Sequence, residues 1–218
     1  MKKILVLGAG SYARTVTFYA TRVMDWLIEA YVADNEFISQ ESFMGKPLIA
    51  FEKVESVYPP EEFSMLMAIG YRNMNERRKQ KFLQAKKKKY YFENLIHPTA
   101  ILNNTVLSEG NVILENVIIE PNSKIGSNCV FWSGAFVAHD CIIASHNFLS
   151  AFSLVAGFSV IEEGCFMGVH TTVRDGITIA HHTLIGAGAY VSKPTNPYDV
   201  VVPARSITLE GKYSLDMI

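Results

Sequence analysis

Every sixth residue from Leu107 to Val191 is hydrophobic: Leu107, Ile113, Ile119, Ile125, Phe131, Val137, Ile143, Leu149, Val155, Ile161, Met167, Val173, Ile179, Ile185 and Val191. With any position apolar about half the time, one register of this length arises by chance roughly once in 30,000. A period of six is neither the 3.6 of an amphipathic helix nor the 2 of a half-buried strand. It fits a parallel β-helix in which three short strands make one triangular coil. Ile101 reads as one further step backwards in the series. Four residues after each apolar site stands a mostly small residue: Asn111, Val117, Ser123, Cys129, Ala135, Cys141, Asn147, Ser153, Ser159, Cys165, Thr171, Ile177, Thr183 and Ala189. Glycine follows the apolar residue directly at Gly126, Gly168 and Gly186. A coil is then eighteen residues, stacked on the next at about 4.8 Å. The stretch from Ile101 to Val191 supplies about five coils, which fold as a unit because each needs its neighbours. All three cysteines occupy the small position, which makes them buried packing residues.

The first ninety residues carry no such repeat. Lys3 to Leu7 reads as a buried strand, followed by Gly8-Ala9-Gly10-Ser11-Tyr12-Ala13 and a helical stretch to about Met24. Glycines in that turn let a phosphate or ribose approach the backbone, and the helix N-terminus favours an anion. A second strand, Ile28 to Val32, ends at Ala33-Asp34-Asn35, where an acidic side chain accepts from a ribose or base. A third, Phe63 to Ile69, ends at Gly70, with Arg72 and Asn75 beyond it in reach of a diphosphate; Tyr90 to Phe92 is a candidate fourth. The chain is therefore expected to hold a Rossmann-like α/β domain over 1–93, a left-handed parallel β-helix over 94–194 and a C-terminal tail over 195–218.

A formal charge of −1 weighs against a nucleic-acid or membrane-surface partner. The run Lys86 to Lys89 reads as a solvated helix end. The N-terminal apolar run stops at a glycine turn after Leu7, unlike a secretion signal, and no stretch approaches the ~20 apolar residues of a membrane span. Three cysteines without framework spacing fit a reducing compartment, so the expected location is the cytoplasm.

The combined layout resembles a known family. A G-x-G turn, the segment Ala68-Ile69-Gly70, the connector Asn94-Leu95-Ile96-His97-Pro98-Thr99-Ala100, coils carrying Ala138-His139-Asp140-Cys141, and a closing Val202-Pro203-Ala204-Arg205 are together similar to the sugar acetyltransferases of the bacillosamine (PglD) and sialic-acid (NeuD) type. The resemblance implies a homotrimer with acetyl-CoA along the β-helix between subunits, and a nucleotide-linked sugar bridging the two domains. It implies His139 as the base, Asp140 as its partner, and the Gly157 N–H, one coil on, as the contact of the thioester carbonyl. Gly168 and Gly186 are expected beside the pantetheine arm, Lys193 and Arg205 at the CoA phosphates. The nucleotide end is expected at Gly8, Gly10, Ser11, Asp34, Asn35, Gly70 and Arg72. The sequence departs from the family where bacillosamine-type enzymes have an asparagine seven residues before the histidine and a second histidine nine after it. Here Trp132 and Phe148 stand at those places and are expected to shape the sugar site.

The residues support that chemistry independently. An amine or hydroxyl loses a proton as it attacks a thioester, and histidine is suited to take it near neutral pH. An adjacent carboxylate orients the imidazole, and a backbone N–H meets the developing oxyanion. The expected activity is acetyl-CoA-dependent N-acetylation of an amino-dideoxy sugar for bacterial surface glycans such as O-antigen lipopolysaccharide, with no metal. O-acetylation of a sugar or sialic acid is the alternative. Two further readings use the same fold differently. A trimeric zinc carbonic anhydrase would draw ligands from His139, His146 and His170 but has no need of a nucleotide domain. A non-catalytic nucleotide-sugar sensor has no need of His139-Asp140. His97 reads as a connector residue, and His181 and His182 as surface turn residues.

Overall fold

The structure, a computed structural model, describes residues 3–204 and Ser206. Five strands form the N-terminal sheet: β1 (Lys3–Leu7), β2 (Leu27–Ala33), β3 (Ser42–Phe43), β4 (Lys46–Ala50) and β5 (Ser64–Met67). Their order is β3-β4-β2-β1-β5, parallel throughout except for the short β3. Helix α1 (Ser11–Phe18) runs into a π turn at Tyr19–Val23; α2 (Val54–Val57) and α3 (Glu76–Lys87) follow. Lys46–Ala50, with its proline and lysine, carries no strand pattern and escaped the sequence reading. The expected strand at Tyr90–Phe92 is a single bridge, Met65 to Phe92.

From Leu95 onwards the chain winds into a triangular prism of two-residue strands. Its first face has seven strands, from Leu95–Ile96 to Val200–Val201; the second has six, from Ile101–Leu102 to Tyr190–Val191; the third has five, from Val106–Leu107 to Thr178–Ile179. From Ile113 to Val191 every residue of the hexad series is buried. So are all fourteen residues of the small series, Asn111 to Ala189. Several of these are polar because they tie down the turn beside them. Asn111 and Asn147 accept from the Cys129 and Cys165 N–H and donate to the Ser108 and Ala144 carbonyls.

The register slips at both ends of the stack, by one residue in the first coil and by two in the last, where Leu184 pairs with Val200. Ile118 and Ile119 lie over Ile101 and Leu102, seventeen residues earlier. Leu102 therefore points towards the core and Ile101 is exposed, so Ile101 does not continue the hexad series. The stack also takes in Val200–Val201, beyond residue 194, as a last strand of the first face.

Corners of the prism turn on a left-handed residue every six positions: Asn104, Gly110, Asn116, Asn122, Asn128, Gly134, Asp140, His146, Phe152, Phe158, Gly164, His170, Gly176, His182 and Gly188 all have positive φ. Glycine, asparagine and aspartate accept that conformation most readily. A phenylalanine there is unusual.

The α/β domain covers the first face. Val112, Val130 and Phe148, pointing outward from that face, are buried in one cluster with Ile4, Val6, Val16 and Leu66 of the sheet and α1. Burying such a side chain contributes roughly 1.5–3 kcal/mol, which makes the junction a shared core. Polar ties reinforce it. Asn75 is buried, left-handed at φ 65°, and its Nδ2 donates to the Gly164 and Cys165 carbonyls. Arg78 is 0% exposed, and its Nη2 donates to Asn75 Oδ1 and to the His146 and Asn147 carbonyls. His182 Nε2 lies 2.8 Å from Glu76 on α3, so it is a junction residue and not a solvated turn. The lysine run is likewise paired, Lys86 with Glu109 and Lys88 with Glu55.

Candidate active site

His139 and Asp140 follow the strand Phe136–Val137 at the corner between the second and third faces. Asp140 is the left-handed residue of that turn (φ 56°), and its carboxylate reaches the neighbouring imidazole: His139 Nδ1 to Asp140 Oδ2 is 2.9 Å. A carboxylate at Nδ1 favours the tautomer with the proton there and leaves Nε2 basic. The imidazole is 48% exposed, open to a substrate. Below it the turn is held firmly. Glu120 Oε2 accepts from the His139 backbone N–H at 3.0 Å. Ser123 Oγ donates to the Ala138 carbonyl at 2.8 Å and accepts from the Cys141 N–H at 3.1 Å.

One coil above, Gly157 faces the ring. A Cβ on Gly157 would stand 2.9 Å from His139 Cε1 and 3.0 Å from Nε2. Its N–H donates to no group among the described residues, whereas neighbouring Ala156 and Phe158 donate to the Val173 and His139 carbonyls. The pairing of Val137 with Val155, Val155 with Val173 and Val173 with Val191 puts His139, Gly157, Asp175 and Lys193 in one column. At ~4.8 Å per coil, Lys193 stands roughly 14 Å from His139 along the corner. Arg174, adjoining Asp175 in that column, is exposed on the same corner and was not singled out from sequence.

Gly168 and Gly186 lie on a different corner, between the first and second faces, in a column with Trp132. Coil stacking accounts for both. A Cβ on Gly168 would meet the Ala187 nitrogen at 2.5 Å, and one on Gly186 the Val201 carbonyl at 3.3 Å. Their N–H groups are taken by the Ile185 and Val201 carbonyls. Arg205 lies outside the described residues.

The α/β domain contributes a second locus. With β1 between β2 and β5, the winding direction reverses at β1, and ligands of such sheets bind beyond the carboxyl ends of the strands at that point. Gly10, the N-cap of α1, and Ser11 are exposed there; Gly70 and the exposed Arg72 follow β5 at the same edge. Gly8 serves the turn itself: its φ is 134°, and a Cβ would stand 2.5 Å from the Ala68 carbonyl oxygen. Asp34 is ion-paired with Lys81 of α3, and the Asn35 N–H donates to Glu52. Asn75 is withdrawn from this edge by its bonds to the β-helix, so the expectation that it reaches a diphosphate is corrected.

Tyr12, next to Ser11, has its ring 6.2 Å from Trp132, so this edge opens towards the corner between the first and second faces. Phe148 is 3% exposed, stacked on Phe166 and 4.9 Å from the Tyr71 ring. It belongs to the domain junction beneath Trp132. Within one chain the nucleotide-type edge and His139 stand at opposite edges of the second face.

The remaining candidates are accounted for. Burial pushes the Cys129 thiol up to about 11 and Cys165 up to about 12, and raises Cys141 too, so none is a nucleophile. His146 is buried, accepts from the Asn128 amide and packs on Phe82; burial lowers its pKa to about 4. His170 stacks flat on Phe152. Among the described residues no three His, Cys, Asp or Glu side chains form a group that would hold a metal, and no helix is long and apolar enough to cross a membrane.

Comparison with known proteins bears on this arrangement. The profile of the family "Bacterial transferase hexapeptide (six repeats)" matches residues 104–139. No curated protein matches the chain. Among solved structures, the acetyltransferase domain of PglB from Neisseria gonorrhoeae FA1090 superposes with a TM-score of 0.82 at 24% identity, over 93% of this chain and 97% of that one. A histidine-to-alanine mutant of GDP-perosamine N-acetyltransferase from Caulobacter crescentus, in complex with CoA and GDP-perosamine, gives a TM-score of 0.82 at 25% identity, over 93% and 94%. WeeI from Acinetobacter baumannii AYE gives 0.76 at 20% identity, over 93% and 94%.

Proposed function

We propose that the chain is an acetyl-CoA-dependent sugar acetyltransferase of the PglD/NeuD type, a reading supported by its hexapeptide repeats and its likeness to solved sugar acetyltransferases, and that it acetylates the amine of a nucleotide-linked amino-dideoxy sugar with His139 as general base. The observation that carries the reading is the convergence on His139 of Asp140, at Nδ1, and of Gly157, whose missing side chain leaves room for the ring at Nε2 and whose N–H is unengaged among the described residues. The Caulobacter relative, crystallised with CoA and GDP-perosamine together, supports the substrate class.

In this mechanism the sugar amine attacks the thioester carbonyl carbon while His139 Nε2 takes the amine proton. Asp140 stabilises the imidazolium that forms. The Gly157 N–H meets the oxyanion. Collapse of the tetrahedral adduct breaks the C–S bond, and the His139 imidazolium returns its proton to the departing thiolate, leaving amide and free CoA. Lys193 and Arg174, exposed up the same corner, are the cations this reading assigns to the CoA phosphates, together with Arg205, which lies outside the described residues. Residues 1–93 form the nucleotide-sugar unit, with Gly10, Ser11, Gly70, Arg72 and Trp132 at its mouth, and residues 94–194 the acetyl-transfer unit.

Because the mouth and the base stand at opposite edges of one face, a second copy is needed to close the cleft between them. A ring of three suits a triangular prism, and the outward Ile118, Phe136 and Leu154 of that face are apolar and part-exposed. We place the protein in the cytoplasm, where its buried thiols stay reduced and acetyl-CoA is at hand.

The test is CoA-thiol release from acetyl-CoA against nucleotide-linked 3- and 4-amino sugars, with sialic acid and hydroxyl-only sugars as controls. Release with one amino sugar supports N-acetylation. Release with the hydroxyl controls alone moves the enzyme to O-acetylation. Unchanged turnover in His139→Ala sinks the base assignment.

A further inference from the structure

Of the fifteen left-handed corner residues from Asn104 to Gly188, only Phe152 and Phe158 carry a bulky apolar side chain, and both are exposed; Tyr198, at the turn of the last, shorter coil, stacks on His182. A bulky residue in that conformation is strained, and such strain persists where the surroundings use it. Phe158 (φ 60°) is 63% exposed, so core packing does not account for it. What its ring touches is the candidate base: the Phe158 and His139 rings lie 4.9 Å apart at 86°, edge to face. Its backbone N–H also donates to the His139 carbonyl at 3.2 Å.

We infer that Phe158 is a positioning residue for His139, an inference that rests on the assignment of His139 as base. A half-exposed histidine on a turn samples several rotamers. Here Asp140 holds Nδ1, Gly157 leaves room on one side of the ring, and Phe158 walls another. The three together hold the ring in one rotamer, with Nε2 against Gly157. Phe152 is the internal control. It has the same left-handed conformation (φ 56°) but stacks on His170 at another corner, away from the base.

The inference predicts opposite responses of stability and rate. In Phe158→Asn the corner takes the residue type found at positions 116, 122 and 128, so the melting temperature stays level or rises. At the same time kcat falls about ten-fold or more as the base loses its geometry, with KM for acetyl-CoA unchanged. Phe158→Tyr, which keeps the ring, retains kcat. Phe152→Asn, which relieves the same left-handed conformation at another corner, matches Phe158→Asn in stability. Parental kcat in Phe158→Asn overturns the inference, as does a loss confined to KM or accompanied by dissociation of the oligomer. His139→Ala is assayed alongside. If it remains active, the base assignment itself has failed; if it is inactive while Phe158→Asn is not, only the role of Phe158 has.

Discussion

The His139 imidazole occupies the space a side chain on Gly157 would fill, with the virtual Cβ 2.9 Å from Cε1 and 3.0 Å from Nε2. Gly157 is thus fixed by the side chain one coil below as well as by any demand on its N–H. Its φ lies outside the left-handed range, so alanine suits the backbone there. Gly157→Ala is expected to leave the melting temperature nearly unchanged, turn the imidazole aside, and lower kcat by about 10–100-fold. Thermal unfolding and CoA release, measured on the same preparation, check both halves.

Arg78 is expected to matter for stability where Arg72 does not. Its guanidinium is fully buried, burial lowers its pKa, and its Nη2 joins α3 to two carbonyls of the β-helix. Arg78→Ala leaves those acceptors unsatisfied and opens a cavity, and should destabilise by about 2–4 kcal/mol in urea unfolding. Arg72→Ala, at an exposed position, should fall within about 0.5 kcal/mol of the parent.

The junction should also be acid-sensitive. His146 has its pKa lowered by burial from 6.5 to about 4. Between those values the unfolded chain takes a proton that the native state refuses. Stability is therefore full above pH 6.5 and falls by roughly 1.4 kcal/mol per pH unit towards pH 4. Glu76, held below its usual range chiefly by its hydrogen bond to His182, adds a loss at the acid end in the same direction. Urea midpoints at pH 7 and pH 5 should differ accordingly, and His146→Gln should remove most of the difference.

The three thiols should be silent in the native protein. Cys129, Cys141 and Cys165 sit inside the corners with Sγ donating to the Ala144, Ala156 and Ala180 carbonyls. A thiol-reactive dye should label none of them at pH 8 until urea is added, and all three afterwards. Native labelling at Cys141 would mean that the corner under His139 opens.

The coil was legible because its pattern is local and repeated: each inward residue is followed six positions later by another doing the same work. Where the repetition breaks, the reading broke with it. The coil beginning at Leu95 is one residue short, and that moved Ile101 out of the core and Leu102 in. The stacking of Gly157 on His139 was legible for the same reason, since eighteen residues is one coil, whereas His139 and Asp140 were singled out by the family resemblance. The junction was not. Asn75 and Arg78 meet carbonyls some seventy to ninety residues away, and nothing in Tyr71-Arg72-Asn73-Met74-Asn75 distinguishes a buried tie from a solvated helix start. Phe148 was read as a site residue and lies at the junction because the outward position of one face is covered by a domain from elsewhere in the sequence. Phe158 left a fainter signal, an aromatic in a series otherwise rich in asparagine, glycine and histidine.

The eighteen-residue coil makes the corner a graduated scale. Each coil moves the same column of positions up by one strand spacing, so the interval from His139 to Lys193 is three divisions long. Excising one whole coil between Gly157 and Lys193 would leave the remaining coils in register, because the cut ends share a face and a phase. It would shorten the distance between His139 and Lys193 by about 4.8 Å. On the proposed placement of CoA, the fit to a carrier of fixed length is thereby set in whole coils, a quantity that changes by insertion or deletion of eighteen residues and is untouched by point substitutions at His139.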